Sequence, residues 1–250
     1  MNPSPAGDAP VPAPGLRAVD IWRAPLAPEI AGDGLSAAPL SPEERRRAAR
    51  YRDPAAGLRF VRSRVLLRSV LAGHLGAEPA EVVLRDGAAG KPALAGPWAG
   101  AGWHFNVAHS GALWLCAVAR GMEVGVDVEA LRPLPEADRI ARPHLSPAEW
   151  AEYGALPAAE RPAALLRAWT RKEACVKAEG LGLRRPLREI EVTFGPGVPG
   201  RLRAVAGAPP PAGWSLRAWV PLPGFTAALV LTAGAAAMRH RAWPEDAPRP

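Results

Sequence analysis

The stretch that decides the fold is Trp169-Thr170-Arg171-Lys172-Glu173-Ala174-Cys175-Val176-Lys177. At roughly 100° per residue it predicts a helix whose apolar stripe consists of Leu165, Leu166, Trp169 and Val176. Glu173 falls within that stripe, flanked by Lys172 and Lys177. A carboxylate facing a core has to be paired, bound to a metal or placed at the edge of a site. The alternative is an ordinary i,i+4 ion pair between Glu173 and Lys177, worth about 0.2–0.5 kcal/mol, and the helix alone does not decide between the two.

A second segment, Met122-Glu123-Val124-Gly125-Val126-Asp127-Val128-Glu129, alternates as a strand does. The valines share one face, whereas Gly125, Asp127 and Glu129 share the other. Same-face neighbours lie about 6.6–6.8 Å apart at Cα, so both carboxylates can reach one cation, and Gly125 leaves room beside them. Oxygen ligands without a His or Cys cluster favour Mg²⁺. The alternative is a solvent-facing edge strand.

Together these segments resemble the paired signature of 4'-phosphopantetheinyl transferases of the surfactin-synthetase-activating type. The first part is Gly125–Glu129, and the second is W-T-x-K-E-A-x-x-K-x-x-G over Trp169–Gly180. Three upstream segments resemble the same family in order and spacing: the basic stretch Leu40–Arg47, Gly90-Lys91-Pro92 and Phe105-Asn106-Val107-Ala108-His109-Ser110. Any one of these segments would be weak evidence, and the set is specific.

The resemblance implies an activity and a set of roles. The enzyme would transfer the 4'-phosphopantetheine group from coenzyme A, its co-substrate, to a serine of an apo acyl or peptidyl carrier protein, releasing 3',5'-ADP. Asp127, Glu129 and Glu173 would hold Mg²⁺. Glu173 would take the proton of the serine hydroxyl, and Lys177 would neutralise the departing phosphate.

The resemblance also implies which residues bind the coenzyme: Arg47, Gly90, Lys91, Pro92, Asn106, Val107, Ala108, His109, Lys172 and Lys177. Two positions depart from the family pattern. Ala108 stands where the family usually has serine, and Glu44 stands where some relatives carry lysine. Arg59, Arg62, Arg64 and Arg68 are interpreted as a solvated helix face and are left out of the site.

Composition is compatible with this interpretation. A formal net charge of +7 over 250 residues suits a polyanionic coenzyme and acidic carrier proteins, and it suits nucleic acid equally well. Two cysteines without metal spacing favour the cytoplasm, and no secretory signal is expected. The longest apolar stretch, Phe225 to Met238, is too short to span a bilayer. We therefore expect a cytoplasmic monomer that binds neither nucleic acid nor membrane.

The predicted elements come in one order twice: helix, strand, hairpin. The first set is a helix over Gly57–His74, a strand over Val82–Leu84, and a hairpin of Phe105–Ala108 with Leu113–Ala119. The second set is a helix over Pro162–Glu179 capped by Gly180, a strand over Ile190–Phe194, and a hairpin of Ser215–Val220 with Thr226–Leu231. We therefore predict an α+β fold of two similar α/β subdomains related by a pseudo-two-fold axis, with the active site in the cleft between them. The predicted divisions are a disordered segment 1–15, an N-terminal coenzyme A-binding subdomain 16–123, a C-terminal subdomain 124–243 with the metal and catalytic residues, and a flexible tail 244–250.

Three functions remain open at this point. The transferase explains the charged helix face, the strand carboxylates and His109 together. A catalytically inactive homologue that binds coenzyme A or a carrier protein would need a broken metal set, and all three carboxylates are present. A basic nucleic-acid-binding protein would be retained on heparin with a steep salt dependence.

Overall fold

The computed structural model describes residues 17–26, 38–87, 90–180 and 185–244. These ranges form an α+β fold, as predicted. The strands are β1 (Ala18–Pro25), β2 (Leu84–Asp86), β3 (Pro92–Leu94), β4 (Trp103–Ser110), β5 (Leu113–Arg120), β6 (Val124–Ala130), β7 (Ile190–Val192), β8 (Leu202–Val205), β9 (Ser215–Trp219), β10 (Phe225–Leu231) and β11 (Ala237–Ala242). The helices are α1 (Pro42–Ala48), α2 (Pro54–Leu75), α3 (Ala137–Ala141), α4 (Pro147–Gly154) and α5 (Arg161–Glu179). The predicted disordered segment 1–15 lies outside the described residues, as does the predicted tail apart from Pro244.

The described chain repeats one topology. The order β1-α1-α2-β2-β3-β4-β5 is followed by β6-α4-α5-β7-β8-β9-β10, with α3 inserted. In the first copy β5 lies between β1 and β4, and in the second β10 lies between β6 and β9. The pairs β2-β3 and β7-β8 form separate two-stranded ribbons, and β11 extends the first sheet by pairing parallel to β1. The second copy begins directly after Glu123, which supports the proposed division there. The pseudo-two-fold axis stays a prediction.

The repeat extends to the sequence at the start of each short helix. Leu40–Glu44 is L-S-P-E-E, and Leu145–Glu149 is L-S-P-A-E. In both segments the serine hydroxyl and the glutamate carboxylate each accept the other residue's backbone amide, so both are capping boxes. Each glutamate is also buried and paired with a cation of the next helix, Arg68 in α2 or Lys172 in α5. This pairing fixes the short helix against the long one in both halves.

Three apolar clusters fill the interior. One lies around α5, one lies between the strands of the two sheets, and one lies between α2 and the first sheet. Each of the nine tryptophans belongs to one of these clusters or packs against it. The tryptophan content therefore reflects packing, since these large side chains fill the layers between helices and sheets.

Side chains join the edge strands of the two sheets. Asn106 Oδ1 on β4 accepts the amide of Val126 at 2.9 Å, and Ser110 Oγ accepts the amide of Ala130 at 3.0 Å. Both links span 20 residues, so β4 and β6 run side by side in the same direction. We call this pair of links the seam. It brings β4 alongside the strand that carries Asp127 and Glu129.

The two long helices match their predictions closely. α2 and α5 each start within three residues of the predicted start, and Gly180 ends α5 in the left-handed conformation at φ +73°. The first predicted short strand is displaced and starts at Leu84. Val82 is instead held by its carbonyl, which accepts a hydrogen bond from Arg68. None of the described helices combines the length and apolar character needed to cross a bilayer.

Candidate active site

The candidate site forms where α5 packs on β6. A Cβ added at Gly125 would lie 2.1 Å from the carbonyl oxygen of Ala174 and 2.4 Å from the amide of Ala178. Only glycine lets the helix backbone approach the strand this closely. The room that Gly125 leaves is therefore filled by the helix, which corrects the prediction that it lies open beside the carboxylates. The close contact brings the charged face of α5 onto the acidic face of β6.

Asp127 lies at the centre of this contact and is 7% exposed. Its Oδ1 accepts a hydrogen bond from Lys177 Nζ at 2.7 Å. Its Oδ2 is buried and has no hydrogen-bond partner among the described residues. Burial raises the pKa of Asp127 to about 6, with Glu173 and Glu129 adding to the rise and Lys177 opposing it. An unpaired buried carboxylate oxygen is costly, and a cation would relieve that cost.

Glu129 is oriented by two donors on one of its oxygens. Ser110 Oγ donates to Oε2 at 2.8 Å, and Arg132 Nη1 donates to the same oxygen at 3.2 Å. Both Asp127 and Glu129 thus have one oxygen engaged by a neighbouring donor.

The side chain of Glu173 is half-buried, and within the described ranges its carboxylate makes no hydrogen bond or ion pair. Burial raises the pKa of Glu173, and the nearby Glu129 raises it further, against the effect of Lys177. A carboxylate with a raised pKa and uncommitted oxygens has the properties of a general base.

The acidic side chains do not form a finished metal cage. Within the described ranges, no three His, Cys, Asp or Glu side chains are arranged to hold a metal ion. Asp127, Glu129 and Glu173 nevertheless act on one another electrostatically, and Asp127 Oδ2 lacks a partner. All three contribute only oxygen atoms, which are the donors that Mg²⁺ prefers. The donor set therefore fits a magnesium ion.

Cationic groups lie beside these acids. Burial lowers the pKa of His109, and the charges of Lys177 and Arg59 lower it further, while Glu129 opposes the change. His109 therefore lies within electrostatic reach of all three. Arg59 projects from α2 and was assigned by sequence to a solvated face. Nothing in the sequence distinguishes Arg59 from the other arginines of α2, because only folding brings it near His109.

Lys172 does not belong to the site, and the prediction that it binds the coenzyme is wrong. Its side chain is 1% exposed, and its ammonium group forms an ion pair with Glu149. It also donates to the carbonyls of His144 at 2.9 Å and Leu187 at 3.1 Å. Three acceptors satisfy its three protons, so nothing remains for a phosphate. Burial lowers the pKa of Lys172, against the effect of Glu149.

Lys91 lies at the far end of β6 from Glu129. Its ammonium donates to Glu123 Oε2 at 3.1 Å, to the carbonyl of Val124 at 3.1 Å and to the carbonyl of Lys177 at 3.0 Å. It thereby ties the β2-β3 ribbon to the last turn of α5. The predicted neighbours flank it, with Gly90 at φ +78° and Pro92 opening β3. The structure therefore does not bring Lys91 into contact with Asp127, Glu129 or Glu173.

Arg47 lines a cavity of about 600 Å³ between α1, α2 and β2, and its guanidinium lies 5.1 Å from the ring centre of Phe60. Glu44 and Arg68 line the same cavity as a buried pair at 2.9 Å. Arg68 is 4% exposed, so it is not part of a solvated face. Burial also lowers the pKa of Arg64, the next cation in the cavity. Glu44 therefore serves the fold, which explains its departure from lysine.

The remaining predicted residues lie on β4. Asn106 is buried and holds the seam through its bond to Val126. Ala108 is 4% exposed, with its methyl group in the core between the sheets. Val107 packs on the other face, against the cluster below α2. Their side chains support the strand, so any coenzyme contact there falls to the backbone.

Comparison with known proteins identifies the family of the chain. The model of the 4'-phosphopantetheinyl transferase superfamily matches residues 123–230, and a model of the N-terminal part of 4'-phosphopantetheinyl transferases matches residues 32–120. The 4'-phosphopantetheinyl transferase HetI of Nostoc sp. is 38% identical over 214 residues, which cover 85% of this chain and 87% of HetI. The transferase Sfp of Bacillus subtilis is 29% identical over 154 residues, which cover 61% of this chain and 66% of Sfp.

Among solved structures, the holo-[acyl-carrier-protein] synthase of Thermotoga maritima is similar over 45% of this chain and 64% of its own, at 20% identity and a TM-score of 0.34. That likeness is too weak to bear on the site. The two family models together span both halves of the repeat, and the match to HetI covers most of both chains. The chain belongs to the 4'-phosphopantetheinyl transferase superfamily, the enzymes that transfer phosphopantetheine from coenzyme A to carrier proteins.

Proposed function

We propose that this chain transfers 4'-phosphopantetheine from coenzyme A to a serine of an apo acyl or peptidyl carrier protein, with Asp127, Glu129 and Glu173 holding Mg²⁺. The observation that carries the proposal is the buried Oδ2 of Asp127, which has no partner among the residues that the structure describes and lies beside two further carboxylates and Lys177. Without a cation this arrangement is unfavourable, because like charges crowd a group that is already desolvated. When bound, Mg²⁺ would neutralise the pyrophosphate of the coenzyme.

Glu173 takes the proton of the serine hydroxyl in this proposal. Its raised pKa brings its basicity closer to neutral pH than that of an ordinary glutamate, which is the condition for efficient proton transfer. It also makes no hydrogen bond within the described ranges that would have to break first. The serine oxygen then attacks the phosphorus that bears pantetheine, and 3',5'-ADP leaves.

Lys177 stabilises the negative charge that develops on the phosphate oxygens. Its ammonium is held by Asp127 Oδ1 at 2.7 Å and by the carbonyl of Val126 at 3.3 Å, so it is fixed at the contact of α5 and β6. A positioned cation costs no reorganisation when the charge appears.

The coenzyme would bind on the cationic side of the site. His109, with Arg59 and Lys177 nearby, suits phosphate groups, and Arg47 suits the nucleotide end in the cavity between α1 and α2. The backbone of β4 at Val107 and Ala108 would line the cleft. The same proposal includes a monomer in the cytoplasm without a nucleic-acid partner, which gel filtration and a heparin column test.

The decisive experiment incubates the protein with coenzyme A, Mg²⁺ and a panel of apo carrier proteins, followed by mass spectrometry of each carrier. We expect the mass of phosphopantetheine to be added to at least one carrier and to be absent when Mg²⁺ is chelated. Asp127→Ala should abolish the addition while circular dichroism stays unchanged. Full transfer by Asp127→Ala would remove the strand carboxylates from the mechanism.

A further inference from the structure

Ser110 is the last residue of β4, and its hydroxyl lies between two groups of β6. The oxygen accepts the amide of Ala130 at 3.0 Å, and the hydroxyl donates to Glu129 Oε2 at 2.8 Å. A hydroxyl carries one proton, so accepting the backbone N–H leaves that proton for the carboxylate. The backbone of β6 therefore orients the hydroxyl, and the hydroxyl in turn orients Glu129.

Asn106 shows that the seam does not require this second bond. It lies on the same face of β4, four residues earlier, and makes the same kind of link to the Val126 amide. An acceptor is sufficient for that task. The donation from Ser110 to Glu129 is thus an addition to the seam, and it engages a carboxylate of the site directly.

Arg132 is the other donor to Glu129, and it is a weaker positioning group. Its side chain is 51% exposed, and ordering a long exposed side chain costs conformational entropy that offsets most of the ion pair. Ser110 is short, half-buried and fixed at both ends. Both donors use Oε2, and in the part of the chain that the structure describes none donates to Oε1.

We infer that Ser110 is a positioning residue that holds Glu129 with Oε1 available to a divalent cation. The inference rests on the proposed function, because it takes Glu129 as a ligand. It goes beyond that proposal, which gives Ser110 no role, and it has the hydroxyl act through the carboxylate of Glu129. Hydrogen bonds from outside the ligand shell set both the orientation and the affinity of ligands in metal sites.

The test uses Mn²⁺ as the probe, titrated calorimetrically into the protein saturated with coenzyme A. Ser110→Ala should weaken Mn²⁺ binding about 10- to 100-fold, and Ser110→Thr, which keeps the hydroxyl, should restore it. Arg132→Met is the matched control, because it removes the other donor to the same oxygen and should cost less than Ser110→Ala. In transfer assays, saturating Mg²⁺ should return most of the maximal rate to Ser110→Ala, which a purely structural defect would not allow.

The outcomes separate this inference from the function on which it rests. If Glu129→Gln impairs Mn²⁺ binding and Ser110→Ala does not, Ser110 has no positioning role. If Glu129→Gln binds Mn²⁺ as the wild type does, the metal assignment itself fails and the inference fails with it. If Ser110→Thr is as impaired as Ser110→Ala, the hydroxyl is not the group responsible and the inference is overturned.

Discussion

The two halves of the repeat share a scaffold and differ at the contact between the first strand and the long helix. Counted from the buried cations Arg68 and Lys172, the left-handed C-cap glycine lies eight residues on in both helices. The helices therefore align without a gap. In that alignment Glu173 of α5 corresponds to Ser69 of α2, and Lys177 corresponds to Gly73.

The first strands of the two halves, β1 and β6, also differ at this contact. Each carries one buried aspartate, Asp20 in β1 and Asp127 in β6. Asp20 is paired with two cations, Arg239 at 2.6 Å and Arg241 at 3.4 Å. His74 lies 3.9 Å away, and burial lowers the pKa of this imidazole. Within the described part of the chain, Asp127 is paired with one cation, Lys177, has two neighbouring carboxylates, and keeps one oxygen without a hydrogen-bond partner.

The two buried aspartates therefore affect the stability of the fold in different ways. In the first half two guanidinium groups compensate the charge of the buried aspartate, so that contact serves the fold. In the second half an equivalent contact is left short of positive charge. Sites that bind and react are commonly built with such unfavourable local electrostatics. The comparison therefore supports the proposal that the chemistry lies in the second half, on a scaffold that both halves possess.

The largest expected effect is that of replacing Glu173, the carboxylate of α5 that has no counterpart in α2, on the rate of transfer. Glu173→Gln removes the proposed base and a ligand charge but keeps the shape of the side chain. We expect the single-turnover rate of transfer to fall about 10²- to 10⁴-fold, the usual contribution of a general base. The measurement is rapid-quench transfer to an apo carrier protein at saturating coenzyme A.

The control for Glu173→Gln lies at the corresponding position of the first half. Ser69→Gln places the same amide at the same place on α2, and we expect the rate to stay close to that of the wild type. A comparable loss in Ser69→Gln would mean that the rate responds to helix packing in either half, and the assignment of chemistry to α5 would lose its support.

The next largest effect concerns the buried pairs that the halves share. Glu149 and Lys172 are 0% and 1% exposed, and Glu149 also accepts the amide of Val192. Glu149→Ala should cost about 3–5 kcal/mol of unfolding free energy, because it leaves an ammonium buried without its counterion. Glu44→Ala should cost less, because Glu44 and Arg68 line a cavity that water can enter. Urea unfolding of both variants measures the two costs, and equal losses would contradict this difference.

Sequence reasoning succeeded where the pattern was local. The apolar stripe of α5, its C-cap Gly180 and the alternation of β6 follow from periodicity, and the carboxylates are found where that periodicity is broken. It failed for Lys172, because the partner Glu149 lies 23 residues away and only folding brings the two together. The repeated L-S-P-x-E segments carried the missing information. A buried glutamate at the third helical position of each segment needs a cation, and the following long helix supplies it.

Replacing each buried aspartate by asparagine should change the stability of the metal-free protein in opposite directions in the two halves. The pKa of Asp127 is raised to about 6 from its ordinary value of 3.8, so the metal-free folded state holds this proton more tightly than the unfolded state does. Ionisation of Asp127 therefore lowers the free energy of unfolding progressively as pH rises from about 4 to 6, and the whole penalty is present above pH 6. Asp127→Asn should raise the stability of the metal-free protein at pH 7 by about 1–3 kcal/mol, and the gain should fade as pH falls from 6 to 4.

The matched change in the first half is Asp20→Asn. It leaves Arg239, Arg241 and His74 without their shared carboxylate, so we expect a lower melting temperature at pH 7. Melting curves in EDTA over this pH range measure both variants. A loss of stability in Asp127→Asn at pH 7 would show that its bond to Lys177 outweighs burial and repulsion, and the site would not be strained without metal.

The smallest effect concerns the two capping boxes. Ser41→Ala and Ser146→Ala should each lower the free energy of unfolding by about 1 kcal/mol, the usual contribution of a helix N-cap. The loss should be larger in Ser146→Ala, because Ser146 is 2% exposed and the Glu149 amide would lose its partner where water cannot replace it. The two boxes share no partner, so the losses should add in the double variant.

The double variant also tests whether the two halves unfold together. The seam and Lys91 tie the halves together, so we expect calorimetry of the double variant to show one transition. Two separate transitions would mean that each half unfolds by itself, and the seam would then hold side chains in place without coupling the stability of the halves.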